Sequence, residues 1–120
     1  MQHDDLVYLG HMLDLCDRIA GRCAGLDRES YDADENLRLA LTHLIQTLGE
    51  AARKVSRHTQ DTHPEIPWAE IVGMRHKIVH DYLDVDLDLV WDVASTEIPL
   101  LHGLLESVLP PEELPPESSR

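Results

Sequence analysis

The spacing of apolar residues near the start of the chain restricts the fold more than any other feature. Over the first 23 positions, apolar side chains recur at intervals of three and four: Leu6, Leu9, Leu13, Cys16, Ala20 and Cys23. Because about 3.6 residues complete a helical turn, this spacing predicts a helix with one apolar seam. Asp4 or Asp5 is the candidate N-cap, and Gly25 lies where the helix should end. A polar link over residues 27–32 follows.

Three further segments have helical patterns. The second helix is predicted over residues 34–57, and two prolines break the pattern between 59 and 67. The third begins at Pro67-Trp68 and runs to about His80, and the fourth carries its apolar face from Leu87 to Val108. Pro99 lies inside the fourth helix, so a kink is expected near Ser95, whose carbonyl loses a partner.

These patterns together predict an all-α protein, an up-and-down bundle of four to five helices. The chain has seven prolines, six glycines and no Phe, which favours helices over a sheet. At 120 residues it is long enough for one core. We therefore expect one helical domain over residues 1–108 and a disordered, acidic, proline-rich tail over 109–120. The wide apolar stripe on the second helix fits a bundle core or a dimer seam, and suggests a homodimer.

The charge is strongly negative but unevenly spread. A net charge of −13 argues against coating nucleic acid with the whole surface. Between positions 78 and 119 there are ten acids and no Lys or Arg. Five of the ten basic residues fall within 25 positions: Arg53, Lys54, Arg57, Arg75 and Lys77. A polyanion could engage this local patch, or the acidic face could dock a basic protein partner. The acids could also serve solubility alone.

The termini and cysteines point to a cytoplasmic protein. The N-terminus is polar and acidic and lacks the apolar region of a signal peptide. No apolar run reaches about 18 residues, so no membrane span is expected. Cys16 and Cys23, two turns apart on one helix, are separated by about 10 Å, too far for a disulfide. They are interpreted as small buried side chains in a reducing compartment.

One segment concentrates groups suited to acid–base chemistry: Gly73-Met74-Arg75-His76-Lys77-Ile78-Val79-His80-Asp81-Tyr82. Metal-free RNA cleavage needs a base for the 2′-hydroxyl, an acid for the leaving 5′-oxygen and a cation for the phosphate oxygens. Histidine titrates near neutrality and suits proton transfer, whereas the planar fork of arginine matches a phosphate.

Helix geometry restricts how this chemistry could be assembled. Five residues rotate by about 140° along a helix, so Arg75 and His80 would not share a face, although Arg75 and Tyr82 would. The pair can converge only if the helix ends or bends near His80, or if the substrate lies across a dimer cleft. A single histidine per chain in this motif also favours two copies, one for each proton transfer.

The segment resembles the Arg-x4-His-x-Tyr signature of HepT toxins, members of the HEPN superfamily. Arg-x4-His alone is a weak signal, but further pieces follow the same order along nearly the whole chain: Asp5-Leu6-Val7-Tyr8-Leu9, Leu48-Gly49-Glu50-Ala51-Ala52, Ile66-Pro67-Trp68, Ile71-Val72-Gly73-Met74-Arg75, Val85-Asp86 and Val90-Trp91. In combination they make the resemblance specific.

The resemblance implies a HEPN-like homodimer with its site in the cleft between subunits. It implies a type VII toxin, a metal-independent endoribonuclease acting on mRNA or tRNA. It also implies that a minimal nucleotidyltransferase (MNT) antitoxin inhibits this ribonuclease by transferring AMP from ATP to the motif's tyrosine. Carried over by position, Arg75 and His80 are the catalytic pair and Tyr82 is the AMPylation site. The variable positions hold His76 and Lys77, which could add positive charge; no cofactor is implied beyond the ATP that the partner uses.

Structural interpretations of the same residues remain open. Arg75 could merely pair with Glu50, or Glu50 could aim Arg75 into the cleft. His80 could cap a helix C-terminus, and Tyr82 could be a half-buried core residue. His76 and His80, four apart, could bind a metal with a third ligand, although no carboxylate or cysteine has a supporting spacing.

Other aromatic and histidine residues are interpreted as structural. Trp68 and Trp91 are expected to be core anchors, and His3, His11 and His102 are expected to be incidental.

Two rival functions differ in class from a ribonuclease. One is a non-catalytic HEPN-type helical dimer that binds nucleotide or a nucleotidyltransferase partner, and the other is a metal-binding helical protein.

Overall fold

Helices make up most of the computed structural model, which describes residues 1–81 and 84–110, with only the backbone of His80 and Asp81. In chain order the elements are α1 (His3–Cys23), α2 (Arg28–Asp32), α3 (Glu35–Arg53), α4 (Arg57–Thr62), α5 (Trp68–Ile78), β1 (Val79–Asp81), β2 (Asp84–Val85), α6 (Leu87–Asp92), a π-helical turn (Val93–Glu97) and α7 (Ile98–Val108). The all-α class is confirmed. The two strands form a small antiparallel ribbon that pairs Val79 with Val85 and Asp81 with Asp84.

Capping side chains decide where several helices begin and end. Asp34 caps α3 by accepting the Leu37 N–H at 3.0 Å, as the second-helix prediction requires. The predicted end of that helix at residue 57 is wrong, because Ser56 adopts an extended backbone and caps the separate helix α4. The predicted link over 27–32 is also wrong, since Asp27 caps the short helix α2. At the start of α1 the N-cap is Gln2, so Asp4 and Asp5 lie inside the first turn.

The core forms where α1 packs against α3 and α7, and α3 packs against α5. Its largest fully buried side chains are Tyr31, Leu9, Met12, Leu13, Ile19, Leu41, Ile45, Ile66, Ile78, Ile98, Leu105 and Val90. Both cysteines are free thiols, as expected. Burial raises the pKa of the Cys16 thiol to about 12, so this group is unreactive at neutral pH.

Gly49 allows the closest approach between α3 and α5. A Cβ placed on this glycine would lie 2.9 Å from the backbone carbonyl oxygen of Ile71. Backbone cannot move aside as a side chain can, so any larger residue must push the two helices apart. The buried Ala51 and Ala52 on the next turn are small in the same way. The Gly-Glu-Ala-Ala sequence therefore fixes how close α5, with Arg75, lies to α3.

We expect Gly49→Ala to lower the free energy of unfolding by about 1–3 kcal/mol, because it overpacks this contact. Gly103→Ala is the matched control, since nothing lies within 4 Å of a Cβ at this position in α7. The control should gain roughly 0.5–1 kcal/mol from higher helix propensity. Urea unfolding followed by circular dichroism measures both changes, and equal effects at the two glycines would contradict the close approach.

Asp5 joins the start of α1 to the start of α4. This carboxylate is only 2% exposed. It accepts hydrogen bonds from the Ser56 N–H at 2.8 Å, the Ser56 hydroxyl at 2.6 Å and the Thr59 hydroxyl at 2.6 Å. Burial by itself raises the pKa of Asp5, but these three hydrogen bonds outweigh it and lower the pKa below its ordinary value. The ionised form is therefore the one that the fold stabilises.

Replacing Asp5 with Asn should destabilise the protein by about 2 kcal/mol at pH 7, since hydrogen bonds to a buried charge are lost. Because the folded-state pKa is lowered, the contribution is complete above the unfolded pKa of about 4 and disappears as pH falls through the folded value. Urea unfolding at pH 7 and pH 3 should show the gap between wild type and Asp5→Asn narrowing in acid. Replacing the neighbouring exposed Asp4 with Asn is the control and should change the free energy of unfolding little. The role of Asp5 would be contradicted if wild type and Asp5→Asn differed by the same amount at both pH values, or if Asp4→Asn were as destabilising as Asp5→Asn.

The last helical segment accommodates Pro99 through a π-helical turn. The Ile98 N–H donates to the Val93 carbonyl, five residues earlier, and Pro99 follows as the second residue of α7. The irregularity expected near Ser95 is therefore this wider turn. Helix α7 ends at Val108, and the next residue, Leu109, is buried in an extended conformation. The remainder of the predicted tail, 111–120, lies outside the described residues. Among the described helices, none is both long and apolar enough to cross a membrane.

Candidate functional site

The helix that carries Arg75 ends before it reaches His80. Helix α5 runs only to Ile78, and Val79 has extended dihedrals (φ −119°, ψ 99°) as the first residue of β1. The Asp86 N–H donates to the Ile78 carbonyl oxygen at 2.6 Å, which pairs a group that the helix end leaves open. The prediction of helix up to about His80 is thus wrong by two residues.

This junction satisfies one of the two geometric conditions set by the sequence, namely that the helix ends near His80. Arg75 lies on the last turn of α5 with an exposed side chain, and His80 lies in β1. The His80 side chain and the whole of Tyr82 lie outside the described residues. The structure therefore places the backbones of the motif's arginine and histidine on two different elements, and their roles remain predictions.

Glu50 binds a different arginine from the one considered in the sequence. Its carboxylate accepts a hydrogen bond from Arg53 at 2.9 Å, and the ion pairs within the described residues include none formed by Arg75. The bond and charge of Arg53 lower the pKa of Glu50, and the positive charges of Arg75 and Lys54 act in the same direction. Glu50 is thus close enough to influence Arg75 without neutralising it by direct pairing.

His76 and Lys77, at two of the motif's four variable positions before His80, point away from Arg75 in different directions. Each residue advances about 100° around a helix, so His76 is offset by about 100° and Lys77 by about 200°. Both side chains are exposed. Lys77 lines an apolar groove between α5 and the last helical segment, on the far side of α5 from Arg75. Of the two, His76 is better placed to add charge beside Arg75.

A cavity of about 710 Å³ lies beside the same face of α5 as Arg75. Arg53 and Arg57 line it, together with Val72, which precedes Arg75 by one helical turn. Its apolar wall includes Trp68, 7% exposed, whose indole N–H donates to the His63 carbonyl at 2.9 Å. Trp68 is therefore a core anchor, as expected. Each of the two arginines is paired with an acid, Arg53 with Glu50 at 2.9 Å and Arg57 with Asp61 at 3.5 Å. Asp61 and Glu70 also line the cavity, so its lining has as many acidic as basic residues.

Within the described part of the chain, no three His, Cys, Asp or Glu side chains are grouped so that they could hold a metal ion. The alternative of a His76–His80 site depends on a side chain outside that part.

His102 has structural partners that the sequence did not indicate. Its Nε2 lies 2.6 Å from the Asp17 carboxylate of α1, and its Nδ1 lies 3.2 Å from Glu106, one turn further along α7. Treating His102 as incidental was therefore wrong. The spacing to Glu106 was visible in the sequence, but the contact with Asp17, 85 residues away, depends on the fold.

The fold and the motif define a helical HEPN-type domain in which the motif's arginine and histidine lie on either side of a helix–ribbon junction. Comparison with known families makes this specific: the model described as Ribonuclease HepT-like matches residues 12–108. The chain belongs to the HepT-like family.

Three relatives match much of the chain. A protein named "Putative RNase" from Caldanaerobacter subterraneus subsp. tengcongensis is 31% identical over 106 residues, which cover 88% of this chain and 95% of that protein. Another "Putative RNase", from Methanocaldococcus jannaschii, is 29% identical over 90% of this chain and 93% of its own length. A "Probable ribonuclease HepT" from Thermococcus cleftensis is 32% identical over 67% of this chain and 73% of its own. No solved structure matches the chain significantly.

Proposed function

We propose that this protein is the metal-independent endoribonuclease toxin of a type VII toxin–antitoxin system, acting in the cytoplasm on mRNA or tRNA. Membership of the HepT-like family supports ribonuclease activity. The observation that carries the proposal is the end of α5 at Ile78, between the arginine and the histidine of the motif. A continuous helix would hold these two side chains about 140° apart, whereas a change of element removes that restriction.

In the proposed reaction, Arg75 binds the oxygens of the scissile phosphate. His80 takes the proton from the 2′-hydroxyl, and the 2′-oxygen attacks phosphorus. The bond to the 5′-oxygen breaks as that oxygen receives a proton, which leaves a 2′,3′-cyclic phosphate and a 5′-hydroxyl. Arg75 stabilises the charge that develops on the phosphorus-bound oxygens. The exposed Arg75 supports binding of an RNA phosphate at this face, since the ion pairs within the described residues include none formed by Arg75.

The proposal includes a homodimer, because the two proton transfers need a base and an acid and each chain supplies one motif histidine. A cleft between subunits would bring two copies of His80 to one phosphate. It also includes restraint by an MNT-type nucleotidyltransferase that uses ATP to AMPylate Tyr82.

The direct test is RNA cleavage by the purified full chain in buffer with EDTA, together with growth of cells that express it. We expect cleavage that survives the chelator, cyclic-phosphate ends on the products, and arrest of growth. Cleavage that disappears with EDTA and returns with a divalent metal would contradict the metal-free mechanism.

The rival function is a non-catalytic helical dimer that binds nucleotide or a nucleotidyltransferase partner. The acidic C-terminal part of the chain favours this rival. After residue 77, ten of the eleven Asp, Glu, Lys and Arg residues are acids, which repel RNA, and Arg120 is the one base. A binding module should neither cut RNA nor arrest growth, and Arg75→Ala should then leave cells unaffected.

A further inference from the structure

A groove of about 470 Å³ lies between α5 and the segment that runs from α6 through the π-helical turn to α7. Arg75 does not line it. Its walls and floor are apolar and come from four helices: Ile45, Leu48, Ile71, Met74, Leu89 and Leu101. Leu100 also lines it and is 64% exposed, the largest value among the exposed large apolar side chains in the described residues. An open apolar groove of this kind is typical of a surface that a partner covers.

The charges around this groove are almost all negative. Glu65, Glu70, Asp92 and Glu97 line it, and Lys77 is the one basic residue that does so in the described chain. Of the four acids, Glu65 has the His63 ring nitrogen 3.5 Å from its carboxylate. Glu70, Asp92 and Glu97 form no ion pair within the described residues. The charge therefore remains available to an incoming partner.

We propose that this groove binds an amphipathic helix of a protein partner, with an apolar ridge facing inward and Lys or Arg on its flanks. Leu100 and Leu104, four residues apart on α7, form one apolar wall, and Ile71 and Met74 on α5 form the opposite wall. Two helical walls over an apolar floor match the shape of a helix seated in a groove, which binds through side chains at helical spacing.

Charge decides between the candidate occupants. A second copy seated through the same face would bring four acids of one chain against four of the other, in a protein of net charge −13. RNA would meet the same repulsion. A helix with basic flanks turns those acids into favourable contacts and explains why the rim holds them.

The groove shares α5 with the proposed catalytic segment. Met74 and Lys77 line it, and Arg75 lies between them in sequence on another face of the same last turn. A bound partner would thus contact the helix that carries Arg75 without covering Arg75 itself. The inference rests on the groove alone and holds whether or not the protein cleaves RNA.

The test uses a fluorescein-labelled designed helix with leucines along one face and lysines on both flanks, titrated with the full chain and followed by anisotropy. We expect Leu100→Ser and Glu97→Lys each to weaken binding by about tenfold. The matched controls are Leu39→Ser, 62% exposed on α3, and the exposed Glu29→Lys on α2, neither of which lines the groove. Both controls should bind as wild type does, and circular dichroism confirms that all four variants fold.

Four results would overturn the proposal. Equal weakening by the controls would mean non-specific attraction to an acidic surface, as would equal binding of a peptide of scrambled order. Absence of binding by wild type would also reject it. Sedimentation that shows Leu100→Ser converting a dimer to a monomer, while Leu39→Ser does not, would assign the groove to a second copy instead. Cleavage activity plays no part in these readouts, so failure here and failure of the ribonuclease proposal are distinguishable.

Discussion

Replacing His80 with Ala should slow RNA cleavage by about 10²–10⁴-fold in the presence of EDTA, because the reaction loses its proton-transfer group. Arg75→Ala should cause a loss of about 10²–10³-fold, since the charge on the phosphate oxygens is then unsupported. Arg75→Lys should recover only part of this, because an ammonium cannot present the two parallel donors of a guanidinium. Single-turnover cleavage of a defined RNA measures all three variants.

Two exposed residues outside the motif are the matched controls. His43 lies on α3 and Arg22 on the last turn of α1, and neither lines the cavity beside Arg75. Replacing either with Ala should leave cleavage within about twofold of wild type, since surface substitutions away from special features have small effects. A uniform loss across all variants would point to a contaminating nuclease or to misfolding. Full activity of His80→Ala would remove the catalytic role proposed for this residue.

Mixing wild type with His80→Ala asks whether one site uses both chains. If the two proton transfers at one phosphate need His80 from both subunits, a mixed dimer of wild type and His80→Ala has a single His80 and stays inactive. If each site needs His80 from one chain alone, the mixed dimer keeps one intact site and retains activity. Because α5 ends between Arg75 and His80, convergence of the pair within a chain is possible, so this measurement separates the two arrangements.

The sequence was sufficient where local signals act alone. Periodicity located α1, the carboxylate of Asp34 located the start of α3, and Pro67-Trp68 located the start of α5. Each of these depends on residues within one or two turns. The all-α class followed from them, because four apolar stripes in one short chain can be buried only against each other.

Non-local contacts account for the boundaries that the sequence missed. Helix α3 stops at Arg53 where the chain turns into Ser56, whose hydroxyl and N–H bind Asp5, 51 residues earlier. The ribbon has strands of three and two residues, too short for an alternating pattern, and its junction is held by Asp86 bonding to Ile78. Part of the candidate site likewise depends on non-local contacts. Arg75 was identifiable from its motif, whereas the position of Lys77 in the groove required the packing of α5.

AMPylation of Tyr82 should switch the ribonuclease off. Incubation with ATP and an MNT-type nucleotidyltransferase, whose gene we expect beside that of this protein, should add adenylate mass to the peptide that contains Tyr82. Cleavage should fall to the background level of His80→Ala. The physical reason is that a bulky phosphodiester anion two residues from His80 would occupy the phosphate site and offset the charge of Arg75.

The other two tyrosines provide the controls for this switch. Tyr31 is fully buried, its hydroxyl donates to the Leu87 carbonyl at 2.9 Å, and burial raises its pKa to about 12, so it cannot serve as an acceptor of AMP. Tyr8 is half-buried, with the Lys54 ammonium 5.8 Å from its ring centroid, and is the relevant competitor. Tyr8→Phe should be modified and silenced like wild type. Tyr82→Phe should keep cutting RNA, gain no adenylate and resist the nucleotidyltransferase; its silencing, or adenylate found on Tyr8, would show that the switch lies elsewhere.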